Sequence, residues 1–252
     1  VSIENLVIKE KADGIAWITM NRPEALNALT PDMMNGVKDA VLEFDQDPEV
    51  GVIVITGTGR AWCTGLDLKS LGEIQFQNGA VGPEIDALGR SYIDAIQSAS
   101  KVVIAMVNGW VFTGGLELLL SVDIIVASED AEFGDTHCKY GIRPSWGLSQ
   151  RLPRIIGINR AKYHTFTARN ITAQQAREYG LVSAVVPRDK LKEEVESICR
   201  AILKNSRETV AACKYMYNHG WQTTLGEGLE EVEYKTTFAI HDTNTRLAGF
   251  IK

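Results

Sequence analysis

The spacing of apolar and polar positions divides the chain into two textures. "NLVIKE" (5–10) and "IAWITM" (15–20), split by "KADG" (11–14), read as a β-hairpin that opens the fold. Thr30 followed by Pro31 has the N-cap and N1 chemistry of a helix start, and Val37, Val41 and Phe44 continue it as an apolar stripe. "GVIVIT" (51–56) is β-branched without alternation, as expected of a strand covered on both faces, and runs into the glycine turn "GTG". The grammar recurs in "KVVIAMVNG" (101–109), whose glycine turn leads to a helix in "GGLELLL", and again in "DIIVAS" (123–128). Apolar strands separated by helices argue for parallel pairing in an α/β fold. The repeated strand, turn and helix units point to a spiral arrangement, although no strict sequence period is present.

After "GLVSAVVP" (180–187) only helical patterns remain, over 188–204, 207–219, 225–240 and a last one after Asp242. The boundary therefore falls at Pro187, with an α/β core over 1–187 and a helical region over 188–252. That region has little core of its own and is expected to pack on the first domain or on a neighbouring subunit.

Composition narrows the function classes. The 252 residues suffice for a sizeable core, and 45% hydrophobic with 23% charged residues is ordinary for a soluble globular chain. No apolar run approaches the roughly 20 residues that span a bilayer, so no membrane partner is expected. A net charge of −6 without a basic block disfavours nucleic acid as a partner. Cys63, Cys138, Cys199 and Cys213 form no CxxC pair, which reads as reduced thiols in a cytoplasmic or organelle-matrix protein. The chain opens on Val1, so a targeting leader is not read from it.

One residue is out of keeping with its surroundings. Glu117 stands among Leu116, Leu118, Leu119 and Leu120, behind Gly114 and Gly115. If Gly114 is an N-cap, Glu117 lies at N3 and completes a capping box. Alternatively it is a carboxylate buried for a task, since burial among leucines is costly without partners. The paired glycines let a ligand reach the backbone, where helix-start N–H groups collect positive charge. A second donor of that kind lies in "GRAWCTGLDLKSL" (59–71), where the chain turns through Gly57, Gly59 and Gly65 and a helix is expected to follow. GxGxxG fails here at Trp62, and the GK[ST] ending of a phosphate loop is missing.

"GRAWCTGLDLKSL" followed by "NGWVFTGGLELLLSVD" (108–123) resembles the crotonase superfamily of enoyl-CoA hydratases and isomerases. "NRPEALNAL" (21–29), "AEFGDTHCKYGIRPSWGLSQRLPRIIG" (131–157) and "AREYGLVSAVVP" (176–187) fit the same pattern in the same order, so the resemblance spans nearly the whole chain. It implies a crotonase-like spiral of β-β-α repeats, with a C-terminal helical region that supports a homotrimer or a dimer of trimers. The implied substrate is an acyl thioester of coenzyme A, with no further cofactor and no metal. The thioester oxygen would sit between the backbone N–H groups of Leu66 and Gly114, the oxyanion arrangement in which one donor is worth roughly 3 to 4 kcal/mol of barrier. The coenzyme would lie along Ala25, Leu26, Ala61, Thr64 and Leu68, with Gly65, Asp67, Trp110 and Gly115 completing the binding set. Arg60, Lys69 and Lys252 are the candidates for its phosphates, and Trp110, Trp146 and Arg143 for shaping the acyl pocket.

By the same resemblance Glu117 is the first of two catalytic carboxylates, and His137 stands where hydratases usually carry the second. Histidine can act as acid or base, its unperturbed pKa being about 6.5. The plainer alternative is that His137 fills space and hydrogen-bonds Asp135. A metal site on His137 and Cys138 is disfavoured, because adjacent residues do not readily face one ion. Hydration of an enoyl thioester is the first expectation, with isomerisation second, and thioester hydrolysis, decarboxylation or C–C cleavage beyond it. A non-catalytic CoA-binding protein would have lost Glu117 or blocked the Gly114 turn, and neither has happened. Acyl length would depend on "GEIQFQNGAVGPEIDALG" (72–89), whose conformation the sequence leaves open.

Overall fold

The hairpin closes on Asp13 and Gly14, both at positive φ (52° and 79°), the two-residue turn whose twist matches its strands. In the computed structural model, which describes residues 6–72 and 76–250, ten strands follow in chain order. They are β1 Val7–Ala12, β2 Ile15–Met20, β3 Val52–Gly57, β4 Ala61–Cys63, β5 Val102–Val107, β6 Trp110–Phe112, β7 Ile124–Ser128, β8 Glu132–Gly134, β9 Ile171–Thr172 and β10 Ala184–Val186. The helices that bear on the site are α1 Pro31–Gln46, α2 Pro83–Ser98, α3 Gly114–Leu119, α4 His137–Tyr140, α5 Leu148–Ile156, α6 Ile158–Thr167, α7 Ala173–Glu178, α8 Leu191–Leu203 and α9 Arg207–Gly220.

Two sheets result. The larger has the order β1-β2-β3-β5-β7-β10, parallel except for the opening hairpin. The smaller has the order β4-β6-β8-β9, parallel except at its last pair. Each of the pairs β3/β4, β5/β6 and β7/β8 thus sends one strand to each sheet and then a helix, which makes the β-β-α spiral. The first turn reaches the small sheet through a parallel bridge between Leu29 and Leu66 and through the Asn27 side chain, which donates to the Ala61 carbonyl of β4 at 2.8 Å.

The missing alternation in β3 has its cause in the layers. Ile53 and Ile55 face one core with Met33, Val37 and Val41 of α1, while Val52 and Val54 face another with Leu191, Val195 and Cys199 of α8. The first helix after the texture change at Pro187 therefore covers the outer face of the large sheet. Thr30 caps α1 by accepting from the Met33 N–H at 3.2 Å, as its position before Pro31 implies.

Two expected helices are corrected. No helix follows Gly65 directly: the Asp67 side chain accepts from the Lys69 N–H (3.0 Å) and its carbonyl from Ser70, local turns that compete with helix formation. The next helix, α2, begins at Pro83. In the tail, the helix expected over 225–240 is α-helical over Leu225–Glu227 and π-helical over Gly228–Tyr234, and stops there. The β-branched Thr236 turns its hydroxyl back onto the Glu231 carbonyl at 3.3 Å, satisfying an end carbonyl. Among the described residues no helix is long and apolar enough to cross a membrane. Lys252 lies outside the described residues, as do positions 73–75 of the loop over 72–89.

The tail is fastened to the core by an ion pair between the buried Lys214 and the partly exposed side chain of Asp123. The Lys214 ammonium of α9 lies 2.8 Å from Asp123 and also donates to the Lys101 carbonyl at 2.8 Å. Asp123 in turn accepts from the Val103 N–H at the start of β5 (2.7 Å). Burial pushes the Asp123 carboxyl up, and Lys214 opposes that shift. Removing the ammonium leaves a partly covered carboxylate and the Lys101 carbonyl without this partner. Lys214→Ala should therefore lower unfolding free energy by about 1 to 3 kcal/mol, read as a reduced urea midpoint at unchanged m-value; an unchanged midpoint would contradict this fastening.

Candidate active site

Two glycine turns, one from each of two successive spiral turns, meet beside a pocket of ≈ 120 Å³. The first follows β4. Leu29 N–H donates to the Gly65 carbonyl at 2.7 Å, and Asp67 N–H donates to the Leu29 carbonyl at 2.9 Å. In a planar trans peptide the carbonyl and the next N–H point in opposite directions. Holding Gly65 O toward Leu29 therefore turns the Leu66 N–H away from it, and Leu66 lines the pocket. Gly65 is required here: its φ is +91°, and an added Cβ would lie 2.9 Å from both the Gly114 nitrogen and the Phe112 carbonyl.

The second turn joins β6 to α3. Thr113 takes φ 53° and ψ −112°, a costly conformation for a β-branched residue, sustained by surrounding bonds. Its N–H donates to the Gly134 carbonyl at 2.8 Å, and its hydroxyl lies 2.5 Å from that of Thr136. Gly114 follows as the first helical residue, with its N–H at the positive end of α3. A Cβ there would lie 3.4 Å from the Leu66 nitrogen and 2.9 Å from the Trp146 ring. Among the described residues neither the Leu66 nor the Gly114 N–H donates to a protein acceptor. Two free amide donors thus stand side by side at one pocket wall.

Glu117 is 2% exposed and lines the same pocket. The capping-box expectation is overturned, because Thr113 rather than Gly114 is the N-cap and Glu117 falls beyond N3. Its Oε1 instead accepts from the Trp146 N–H (2.9 Å) and the Leu148 N–H (3.1 Å). Two amides separated by one residue reach a single oxygen because Gly147 adopts φ 113° between them. Leu148 begins α5, so the carboxylate also sits at that helix's positive end. Burial raises the Glu117 pKa above the ordinary carboxylate value, against the opposing pull of His137 and of the two backbone donors.

His137, 4% exposed, faces this carboxylate with Nε2 at 3.7 Å from Glu117 Oε2. Its Nδ1 lies 2.7 Å from Asp135 Oδ1, which also accepts the His137 backbone N–H, and Asp135 Oδ2 accepts from the Thr165 hydroxyl at 2.7 Å. Burial pushes the Asp135 carboxyl up, but the hydrogen bonds from His137 and Thr165 outweigh it and hold the group low. An ionised Asp135 orders Nδ1 as the donor and leaves Nε2 presented to the pocket. The plainer sequence reading of His137, a hydrogen bond to Asp135, is met, and the same ring also faces Glu117. Cys138 is exposed beside the buried His137.

The remaining sequence candidates divide by position. Thr64, Leu66, Leu68, Gly114, Trp146 and Arg143 line the pocket with Glu117 and His137. Ala25 and Leu26 close a short 3₁₀ turn beside it, tied by the Thr64 hydroxyl to the Leu26 carbonyl (3.2 Å). Trp110 does not line the pocket; its ring stacks on Phe112 and carries the Arg60 guanidinium at 4.8 Å. Asp67 is engaged by Arg22 at 2.6 Å, and Ala61 is fully buried in β4. Gly115 packs on β4, where a Cβ would come within 2.3 Å of the Cys63 carbonyl. Lys69 is exposed beside these groups. Thr165 and the two amides that hold Glu117 were not anticipated; Gly147 within "SWGLS" is the sequence signal for the latter.

Comparison with known proteins agrees with the geometry. Residues 10–250 match the family model described as enoyl-CoA hydratase/isomerase. The chain is 40% identical over 227 residues to the Arabidopsis thaliana protein named "Probable enoyl-CoA hydratase 1, peroxisomal", covering 90% of this chain and 83% of that one. It superposes on the crystal structure of enoyl-CoA hydratase from Bacillus anthracis with TM-score 0.83 and 31% identity, over 89% of this chain and 87% of the other. A monofunctional enoyl CoA isomerase from M. smegmatis superposes with TM-score 0.78 and 29% identity, over 91% and 100% of the two chains.

The raised pKa of Glu117 has a consequence for stability. A carboxyl whose folded pKa exceeds its unfolded one adds stability below the unfolded value, which is lost as pH rises through the folded one. At neutral pH the ionised side chain is thus a burden to the fold, whereas glutamine can still accept both amides. Glu117→Gln should melt above wild type at pH 7, with the gap shrinking near pH 4; a lower melting temperature at pH 7 would contradict this.

Proposed function

From the premise that this chain belongs to the enoyl-CoA hydratase/isomerase family of the crotonase superfamily, we propose that it adds water across the 2,3 double bond of an enoyl-CoA thioester. The observation that carries the reading is the 3.7 Å approach of two acid/base groups, Glu117 and His137, in the pocket that Leu66 and Gly114 line. Hydration needs one group to take a proton from water and another to deliver one to carbon. Two heteroatoms at that separation can both reach one water oxygen.

In the proposed reaction the thioester oxygen accepts from the Leu66 and Gly114 amides. Ionised Glu117 takes a proton from water as the water oxygen bonds to C3. The electron pair of the double bond moves through C2 onto the carbonyl, and the enolate oxygen is held by the two N–H groups. Protonated His137, donating Nδ1–H to Asp135, gives its Nε2 proton to C2. The proton on Glu117 then returns to His137 across the gap between them, so one water is added and the site is restored.

Isomerisation is the second reading, since a single base can carry a proton between two carbons. It would leave His137 without a chemical task. The coenzyme is part of the substrate, lying past Thr64, Leu66 and Leu68 with Arg60 and Lys69 nearest its phosphates. The tail leaves Leu225, Tyr217 and Trp221 at 81%, 77% and 64% exposure, an apolar surface suited to a homotrimer or a pair of trimers. Light scattering should give three or six chains; a monomer at working concentration would overturn that part.

Enoyl-CoA thioesters incubated in heavy water should yield the 3-hydroxyacyl product. A shifted double bond with label exchange would instead support isomerisation, and free coenzyme would support hydrolysis. Glu117→Gln and His137→Ala should each lower kcat by about 10²- to 10⁴-fold, and wild-type rates would remove the residue from the mechanism. In His137→Ala the acid limb of kcat/KM should move to higher pH. Burial already raises Glu117, the base must be ionised, and the imidazolium field that holds its pKa down is gone.

A further inference from the structure

We infer that the indole of Trp146 is the end wall of the acyl pocket and limits this enzyme to short straight-chain acyl thioesters. The inference deepens the proposed function and rests on its placement of the thioester oxygen between Leu66 and Gly114.

The ring spans the gap between two elements. On one edge, a Cβ added to Gly114 would lie 2.9 Å from Trp146 Cζ3. A Cβ added to Gly89 of α2 would lie 2.1 Å from Cε2, 2.3 Å from Nε1 and 2.6 Å from Cδ2, distances that place it over the ring face. The indole thus lies with one face on a glycine notch in α2 and its Cζ3 rim at one of the two proposed oxyanion donors, and the absence of a side chain at Gly89 makes room for it. Trp146 is only 5% exposed while lining the pocket. With the thioester oxygen between Leu66 and Gly114, the ring stands next to the acyl carbons and closes the pocket beyond them. The pocket volume of ≈ 120 Å³ is well below the roughly 300 to 1,000 Å³ of sites that enclose drug-sized ligands.

The wall is also held still. The Trp146 N–H donates to Glu117 (2.9 Å), and its carbonyl accepts from Arg151 (2.9 Å), whose other nitrogen donates to Gln97 of α2 (2.8 Å). The preceding Ser145 hydroxyl donates to Asp86 at 2.6 Å, one helical turn before Gly89. These bonds fix the backbone that carries the indole, and the ring itself is held by packing against Gly89 and Gly114. Its Nε1 is buried with no partner among the described residues, whereas the core Trp62 donates to the Ile55 carbonyl at 3.1 Å. Shape, not a hydrogen bond, accounts for the ring's place.

The test measures kcat/KM for trans-2-enoyl-CoA thioesters from four to twelve carbons, in wild type, Trp146→Ala and Trp146→Phe, with circular dichroism and melting to confirm folding. Wild type should prefer the four-carbon substrate over the ten-carbon one by about tenfold or more. Trp146→Ala should raise the ten-to-four ratio by about tenfold or more, with Trp146→Phe between. Phe preserves most of the packing should the alanine variant fail to fold. Calorimetric binding of saturated butyryl- and decanoyl-CoA, which cannot be hydrated, should show the same length preference and the same shift. If those ligands discriminate by length but no enoyl thioester gains water, the reaction assignment fails and the wall stands. Equal use and binding of long and short chains by wild type, or an unchanged ratio in folded Trp146 variants, overturns the inference.

Discussion

The chemistry proposed for this site depends on the orientation of one peptide plane. Gly65 O is held by the Leu29 N–H, so the Leu66 N–H faces the other way, into the pocket. That bond belongs to a parallel bridge between Leu29 and Leu66 just past β4, whose sheet continues in parallel through β6 and β8 with a register shift between Ala61 and Cys63. The second amide follows the same logic one spiral turn later. Strained Thr113 is fixed through its N–H and hydroxyl, which leaves Gly114 free at the start of a helix. Backbone donors placed this way need no reorganisation when charge develops, and their identity does not depend on the side chain at position 66.

The two ionisable partners are held by contrasting means. Glu117 lies in an apolar shell that raises its pKa, steadied by two amides on one oxygen with the other turned to His137. His137 is oriented by Asp135, which is itself secured by Thr165. The segment over 135–148 therefore supplies the histidine, its orienting carboxylate, both anchors of the glutamate and the indole beside them. Its geometry is coupled to the core through Arg151 and Asp86, so the proposed acid/base pair rests on packed helices rather than on a free loop.

Much of this was legible in the residue pattern. Strands covered on both faces announce themselves by unbroken β-branched runs, and Glu117 was conspicuous because charge among leucines demands a reason. Two features depend on contacts far apart in sequence. Glu117 reads locally as a cap for its own helix, yet it caps a helix whose amides lie 29 and 31 positions later. Thr165 reaches Asp135 from 30 positions away. Trp110 misled for a related reason, since its strand neighbour Phe112 and exposed Arg60 draw the ring away from the pocket. The helices expected after Gly65 and through residue 240 failed where Asp67 and Thr236 side chains bond locally to the backbone and end the pattern.

The account is tested most directly by a crystal structure of the complex with a saturated acyl-CoA. It predicts the thioester oxygen within about 2.7 to 3.2 Å of both the Leu66 and the Gly114 nitrogen, with the α carbon beside Glu117 and His137. An oxygen that contacts neither amide, or only one while the other faces a protein acceptor, would contradict it.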